Sequence, residues 1–304
     1  MRVVSLLPAA TEIVAALGMV DHLVGVSHEC DHPAEVNRKP RVTRCAIHGN
    51  QLDSAEIDRW VKTELEQTGT LYTMDESLMR RLAPDVIITQ RLCDVCAVGY
   101  DSVTAFAATL PGPPVVVNLE PQTLDDVFGD VGRVGAALGV AERAETVIRE
   151  LRGRVDRVRT RCAPAPRRRC VLLEWIAPPF RSGHWGPELV AIAGGIDPVG
   201  RQGEDAVEIE WDEVRAASPE VLVIACCGFD VARTLRDLPI LRRYPGFPEL
   251  PAAQSREVWV VDGSAYFSRP GPRLVDSLEL LAPLVHPELF PGSSPPEGVA
   301  RAAA

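Results

Sequence analysis

Short, fully apolar runs alternate with stretches of helical periodicity along most of this chain. Val3-Val4-Ser5-Leu6-Leu7 reads as a buried strand, and the segment from Ala9 to Leu17 reads as a helix that ends at Gly18, a natural C-cap. Leu23 to Val26, Val86 to Ile88 and Val115 to Val117 give three further strands, and a helix containing Leu78 and Leu82 runs into Pro84-Asp85 ahead of the second of them. Strands that are apolar throughout, and that alternate with helices, predict a parallel sheet covered on both faces.

From Thr123 the pattern becomes helical. Thr123 suits a cap, and Asp125 and Asp126 suit the positive end of the helix dipole. Ala144, Val147, Ile148, Leu151, Val155 and Val158 then recur at helical spacing up to about Arg161, before Pro164 and Pro166 stop the run. About 20 residues of helix span about 30 Å, enough to cross from one lobe to another, and only Gly153 weakens the run. Beyond it the first pattern returns: strands at Cys170–Leu173, Val221–Ile224 and Val258–Val261, a helix from Pro187 to Gly194-Gly195, and a helix from Arg273 to Leu284. Leu82-Ala83-Pro84-Asp85-Val86 and Ala217-Ser218-Pro219-Glu220-Val221 echo each other as helix end, proline, acid and strand. The prediction is an α/β protein of two Rossmann-like lobes with parallel sheets joined by a long spanning helix. Its parts are 1–122 for the first lobe, 123–163 for the spanning helices, 164–286 for the second lobe and 287–304 for a flexible tail rich in Pro, Ser and Ala.

The first lobe holds roughly 40 residues that the second lacks between its first helix and its Pro-acid strand entry. That surplus contains His28, Cys30, His32, Cys45 and His48, and a capped amphipathic helix over Ser54–Val61 with Ile57, Trp60 and Val61 turned inward.

Length, composition and charge narrow the function. The 304 residues suffice for two cores, and 46% hydrophobic with 24% charged residues is the balance of a folded protein. A net charge of −10 argues against a nucleic-acid partner, and Arg167-Arg168-Arg169 reads as a solvated strand entry. No run reaches the roughly 18 apolar residues of a membrane span. Met1-Arg2 passes directly into a strand, which predicts a cytoplasmic chain, or a periplasmic or extracellular one if an export signal has been removed.

Ligands of open α/β sheets sit outside the carboxyl ends of the strands. The segments there are Ser27-His28-Glu29-Cys30, Thr89-Gln90 leading to Cys93-x-x-Cys96, Glu174-Trp175 with Phe180 to Trp185, and Cys226-Cys227. Thiols and imidazoles suit a soft transition metal, so His28, Cys30, Cys93, Cys96, Cys226 and Cys227 form a candidate metal set. The competing reading of these cysteines is plain packing. Gly-x-Ser-x-Gly, phosphate-loop and His-Glu-x-x-His motifs are absent, which leaves only a cysteine nucleophile such as Cys93 with His184 for an enzyme reading.

Ser5-Leu6-Leu7-Pro8-Ala9-Ala10-Thr11-Glu12, Pro178-Pro179-Phe180-Arg181-Ser182-Gly183, Ala193-Gly194-Gly195 and Tyr266-Phe267-Ser268-Arg269-Pro270 carry a resemblance over residues 2–285. They resemble the cobalamin-binding members of the helical-backbone, metal-complex-binding family of bacterial ABC importers, a family that also carries siderophores and haem. The resemblance implies a class III solute-binding-protein fold and no catalysis, with a cobalamin or related corrinoid bound in the cleft between the lobes. Its implied contacts are Pro8, Thr89, Gln90, Trp175, Phe180, His184, Trp185, Tyr266, Phe267 and Arg269. An aromatic-bearing loop of the family falls here on Thr89 to Cys96, which has cysteines in its place. The membrane subunits of an ABC importer are the implied partner, docked through acids that correspond to Asp212 and to Asp75 or Glu76.

Overall fold

The computed structural model describes residues 1–47, 52–91, 98–292 and 298–302. They divide into two compact units, one made of Met1–Gln51, Arg59–Pro121 and Asp125–Glu150, the other of Leu52–Asp58, Gln122–Leu124 and Leu151–Ala304.

In the first unit β1 (Val3–Ser5), α1 (Pro8–Ala16) and β2 (Leu23–Val26) are followed by β3 (Thr43–Cys45), α2 (Ser54–Thr68) and β4 (Tyr72–Met74). Then come α3 (Glu76–Leu82), β5 (Val86–Gln90), α4 (Tyr100–Ala108), β6 (Val115–Leu119), α5 (Leu124–Ala137) and α6 (Ala141–Cys162). Strands β2-β1-β5-β6 form a parallel sheet. Because side chains alternate along a strand, Val3, Val86, Ile88, Val117 and Leu119 face α1 and α5, while Val4, Leu6 and Ile87 face α3 and α4. Both faces are covered, which is why these strands read as unbroken apolar runs. The surplus forms a separate antiparallel pair, β3 with β4, and α2.

Helix α2 begins under a reciprocal cap: the Glu56 N–H donates to Asp53 Oδ1 at 2.9 Å, and the Asp53 N–H donates to Glu56 Oε2 at 2.8 Å. Of its three expected inward residues Ile57 is buried, whereas Trp60 and Val61 are half-buried. Helices α2 and α6 each contribute residues to both compact units.

The second unit continues with β7 (Arg168–Trp175), β8 (Phe180–Arg181), α7 (Gly186–Ile192), β9 (Gly195–Ile196), α8 (Trp211–Ala217) and β10 (Val221–Ile224). It closes with α9 (Val231–Leu241), α10 (Pro251–Gln254), β11 (Val258–Val261), α11 (Leu274–Val285) and β12 (Val299–Arg301). Strands β7, β10 and β11 are parallel and buried along their length, apart from the ends of β7. The rims of this sheet are antiparallel, β8 against β7 and β12 against β11. The expected flexible tail is therefore corrected over 299–301. Without it β11 would offer an unpaired edge, and β12 covers that edge while Arg301 lies 4.4 Å over the Trp259 ring and 3.6 Å from Glu257.

The sequence echo has a physical cause. Ala83 and Ser218 end α3 and α8 in the left-handed region, at φ of 41° and 47°, and a proline follows each. The next acid takes the backbone N–H at the entry of the neighbouring strand, Asp85 from Arg2 at 2.6 Å and Glu220 from Arg169 at 3.1 Å. The same arginines return Nε to the helix ends, Arg2 to the Leu82 carbonyl and Arg169 to the Ser218 carbonyl. One clamp thus sets the helix-to-strand step in both units.

Candidate functional site

The carboxyl ends of the strands are where each unit gathers polar side chains. In the first unit Pro8 opens α1 just beyond β1, and a buried polar knot fixes this turn. Ser5 Oγ donates to the Leu7 carbonyl at 2.9 Å, Thr11 Oγ1 donates to Ser5 Oγ at 2.8 Å, and Thr11 Oγ1 stands 3.0 Å from Cys30 Sγ. Cys30 in turn donates to Ser27 Oγ at 3.4 Å. Burial pushes its thiol up, against the hydrogen bonds from Ser27 and Thr11. Cys30 is thus a packing thiol within a loop that Arg41 further ties by donating to the carbonyls of Ser27 and Cys30.

Thr89 and Gln90 end β5 and are both buried. Thr89 Oγ1 has no hydrogen-bond partner among the described residues, a free valence at the rim. His28 follows β2. Burial disfavours its imidazolium, but Cys45 and Glu29 outweigh this and raise it to about 9.

In the second unit Glu174 and Trp175 end β7. Glu174 accepts the Gly183 N–H at 2.9 Å, yet the surrounding protein pushes its carboxyl up to about 8, with Cys227 and Asp197 adding to the effect. Trp175 packs on Phe229 with ring centroids 4.8 Å apart, and Arg233 lies 4.0 Å over the other ring. The Trp175 indole donates to the Ser54 carbonyl at 3.0 Å, so the first turn of α2 sits on this platform. Asp237 fixes it there by accepting the Ser54 N–H at 2.8 Å and pairing with Arg233 at 2.9 Å.

Phe180 is half-buried on β8, and His184 meets Gln122 at 2.8 Å through Nδ1 and stacks on Trp185. Burial lowers the pKa of His184, partly offset by Asp205. Tyr266 is half-buried on a π-helical turn over Gly263–Phe267, with Arg273 4.7 Å over its ring. Trp185, Phe267 and Arg269 are buried, as Thr89 and Gln90 are, and the Trp185 indole at the start of α7 donates to the Phe267 carbonyl at 2.9 Å.

The described members of the candidate metal set form no metal-binding group. No group of three His, Cys, Asp or Glu competent for a metal occurs among the described residues. His28 and Cys30 belong to one unit, Cys226 and Cys227 to the other. Cys226 is buried while Cys227 is exposed, and burial pushes the Cys226 thiol far up, a packing role. Cys93 and Cys96 lie outside the described residues. The sequence reading missed Glu174 as a site residue and Cys45 as the neighbour of His28.

A family model described as periplasmic binding protein matches residues 3–265. The chain belongs to this family. A vitamin B12-binding protein of Vibrio cholerae is 22% identical over 287 residues, covering 91% of this chain and 86% of that protein. An ABC transporter substrate-binding lipoprotein of Bacillus subtilis is 21% identical over 295 residues, covering 95% of this chain and 81% of its own length. Among solved structures, a periplasmic heme binding protein from Pseudomonas aeruginosa aligns with a TM-score of 0.73 at 21% identity, over 100% of this chain and 98% of the other. The periplasmic vitamin B12 binding protein of Vibrio cholerae aligns with a TM-score of 0.67 at 20% identity, over 95% and 98%. The expected class III solute-binding-protein fold is thereby established for this chain.

Proposed function

We propose that this chain is a non-enzymatic binding protein for a corrinoid or a related planar metal complex, and that it hands its ligand to the membrane subunits of an ABC importer. The observation that carries the reading is the Trp175–Phe229 platform, which sets aromatic area at the end of β7, next to Glu174 in the chain. Aromatic faces supply apolar contact to a macrocycle, and a few fixed polar groups orient its periphery. Relatives that bind vitamin B12 or heme support the ligand class.

Pro8, Thr89, Gln90, Trp175, Phe180, His184, Trp185, Tyr266, Phe267 and Arg269 are the proposed contacts, joined by Glu174, whose neutral carboxyl donates a hydrogen bond where a carboxylate only accepts. Asp75, Glu76 and Asp212 stand at the starts of α3 and α8, with Asp212 exposed, and are the proposed docking acids for the importer. The relatives act as periplasmic proteins or lipoproteins, and we place this chain with them outside the cytoplasm. The cytoplasmic expectation finds no support among them. A soft-metal role has less support, since no described cluster would hold the ion.

Titration calorimetry with cobalamin, cobinamide and haem tests the assignment. We expect one corrinoid to bind at about 1 μM or tighter, about 8 kcal/mol of binding free energy. Haem binding without corrinoid binding would move the ligand to another metal complex. No heat and no spectral change with any of the three would overturn the reading.

A further inference from the structure

The β3–β4 strand pair carries Cys45, and His28 beyond β2 lies against it; neither is among the proposed ligand contacts. Thr43 and Cys45 lie two residues apart on β3 and so share one face, and Tyr72, directly opposite Cys45 in the ladder, shares it too. His28 lies over that face. Thr43 Oγ1 meets the His28 backbone N–H at 3.0 Å and its Nδ1 at 2.8 Å, and the Tyr72 ring centroid is 5.4 Å from the imidazole. With Nδ1 held, Nε2 stands 3.3 Å from Glu29 Oε1, and the imidazole lies over the face that carries Cys45. Nε2 is shielded from water and has no well-formed hydrogen bond among the described residues. Cys45 itself is only half-buried. Tyr72 also lines a cavity of about 350 Å³ with Thr70, Thr73, Met74 and Ser102, so open space reaches this strand pair.

We propose that Cys45 and His28 form a reactive thiol–imidazole pair, an oxidant-sensitive modification site whose reactant is a hydroperoxide. The imidazole carries the Cys45 thiol proton to the departing oxygen. Sulfur attacks one peroxide oxygen, the O–O bond breaks, and the departing hydroxide takes the Nε2 proton and leaves as water. Cysteine is oxidised to the sulfenic acid, the peroxide is reduced, and the imidazole is left neutral. Cys30, Cys162, Cys170 and Cys226 are buried thiols pushed up by desolvation and have no such partner chemistry.

The test is brief exposure of the whole chain to limiting hydrogen peroxide with dimedone present, followed by mass spectrometry of each cysteine. Cys45 should take the label at least about tenfold faster than the exposed Cys227, and His28→Gln should erase that advantage without changing Cys227. Thr43→Val, which keeps the imidazole but releases Nδ1, should slow Cys45 as well and covers the case in which His28→Gln fails to fold. Labelling of Cys45 no faster than that of Cys227, or a Cys45 rate that neither variant alters, would overturn the pair. Ligand binding plays no part in the readout, so this result stands apart from the titrations above.

Discussion

Replacing Gly263 with alanine should destabilise the second unit by about 3 kcal/mol, because the added methyl has nowhere to go. A Cβ at Gly263 would sit 2.2 Å from the Cys226 carbonyl oxygen and 2.8 Å from the Ala225 carbonyl carbon, both backbone atoms at the end of β10. Strand β10 is central in its sheet and cannot withdraw cheaply, so the π-helical turn must move instead. That turn is held by the Asp262 side chain, which accepts the Ala265 N–H at 2.7 Å, and by the Ser264 N–H donating to the Phe229 carbonyl at 3.1 Å. Moving it disturbs the bond from the Trp185 indole and the setting of Tyr266. Gly153→Ala is the contrasting case. Its Cβ meets only an arginine tip at 3.8 Å within α6, and it should stabilise the chain by about 0.8 kcal/mol through helix propensity. Chemical denaturation measures both. Equal effects of the two substitutions would remove the close-approach argument.

The sheets and the clamp were legible because they rest on local patterns. Runs such as Val221–Ile224 are apolar on both faces, and the turn before each Pro-acid step needs only neighbouring residues to be read. The β3–β4 pair was not legible. Each strand is three residues long with exposed positions, and its register joins Cys45 to Tyr72 across a stretch that contains a whole helix. The site suffered from the same distance. Trp185 in a loop between strand and helix reads equally well as a ligand platform or as packing, and its indole partner, the Phe267 carbonyl, lies 82 positions away. Trp175 was found, yet its indole partner on Ser54 lies 121 positions away, out of reach of any spacing rule. Cys226 and Cys227 looked alike in sequence, whereas one side chain turns into the core and the other to solvent.

Asp130 was also open to reading, since it stands three residues after Val127 and four before Val134, on the apolar stripe of α5. It is fully buried, pairs with Arg133, and keeps Oδ2 without a hydrogen-bond partner. Burial pushes its carboxyl up to about 7 from 3.8, opposed by Arg133 and aided by Asp126 and Glu120. The folded state therefore holds a proton that the unfolded state releases above about pH 4, so stability falls as pH rises from about 4 to 7 and levels off above. The shift corresponds to a loss of about 4 kcal/mol across that window. Glu174, raised to about 8, extends the decline to higher pH, and His28, raised to about 9, adds stability below pH 6.5 that is lost as pH climbs through 9. All three act in the same direction, so the chain should be more stable at pH 5 than at pH 8. Asp130→Asn keeps the shape and removes the titration, while the half-exposed Arg133 can turn to water. Urea denaturation at pH 5 and pH 8 should show a smaller drop for the variant, and a gain at pH 8 of about 3 kcal/mol over the parent. Parallel pH profiles for the two proteins would mean that Asp130 is ionised in the folded state and that the surrounding helix tolerates its charge.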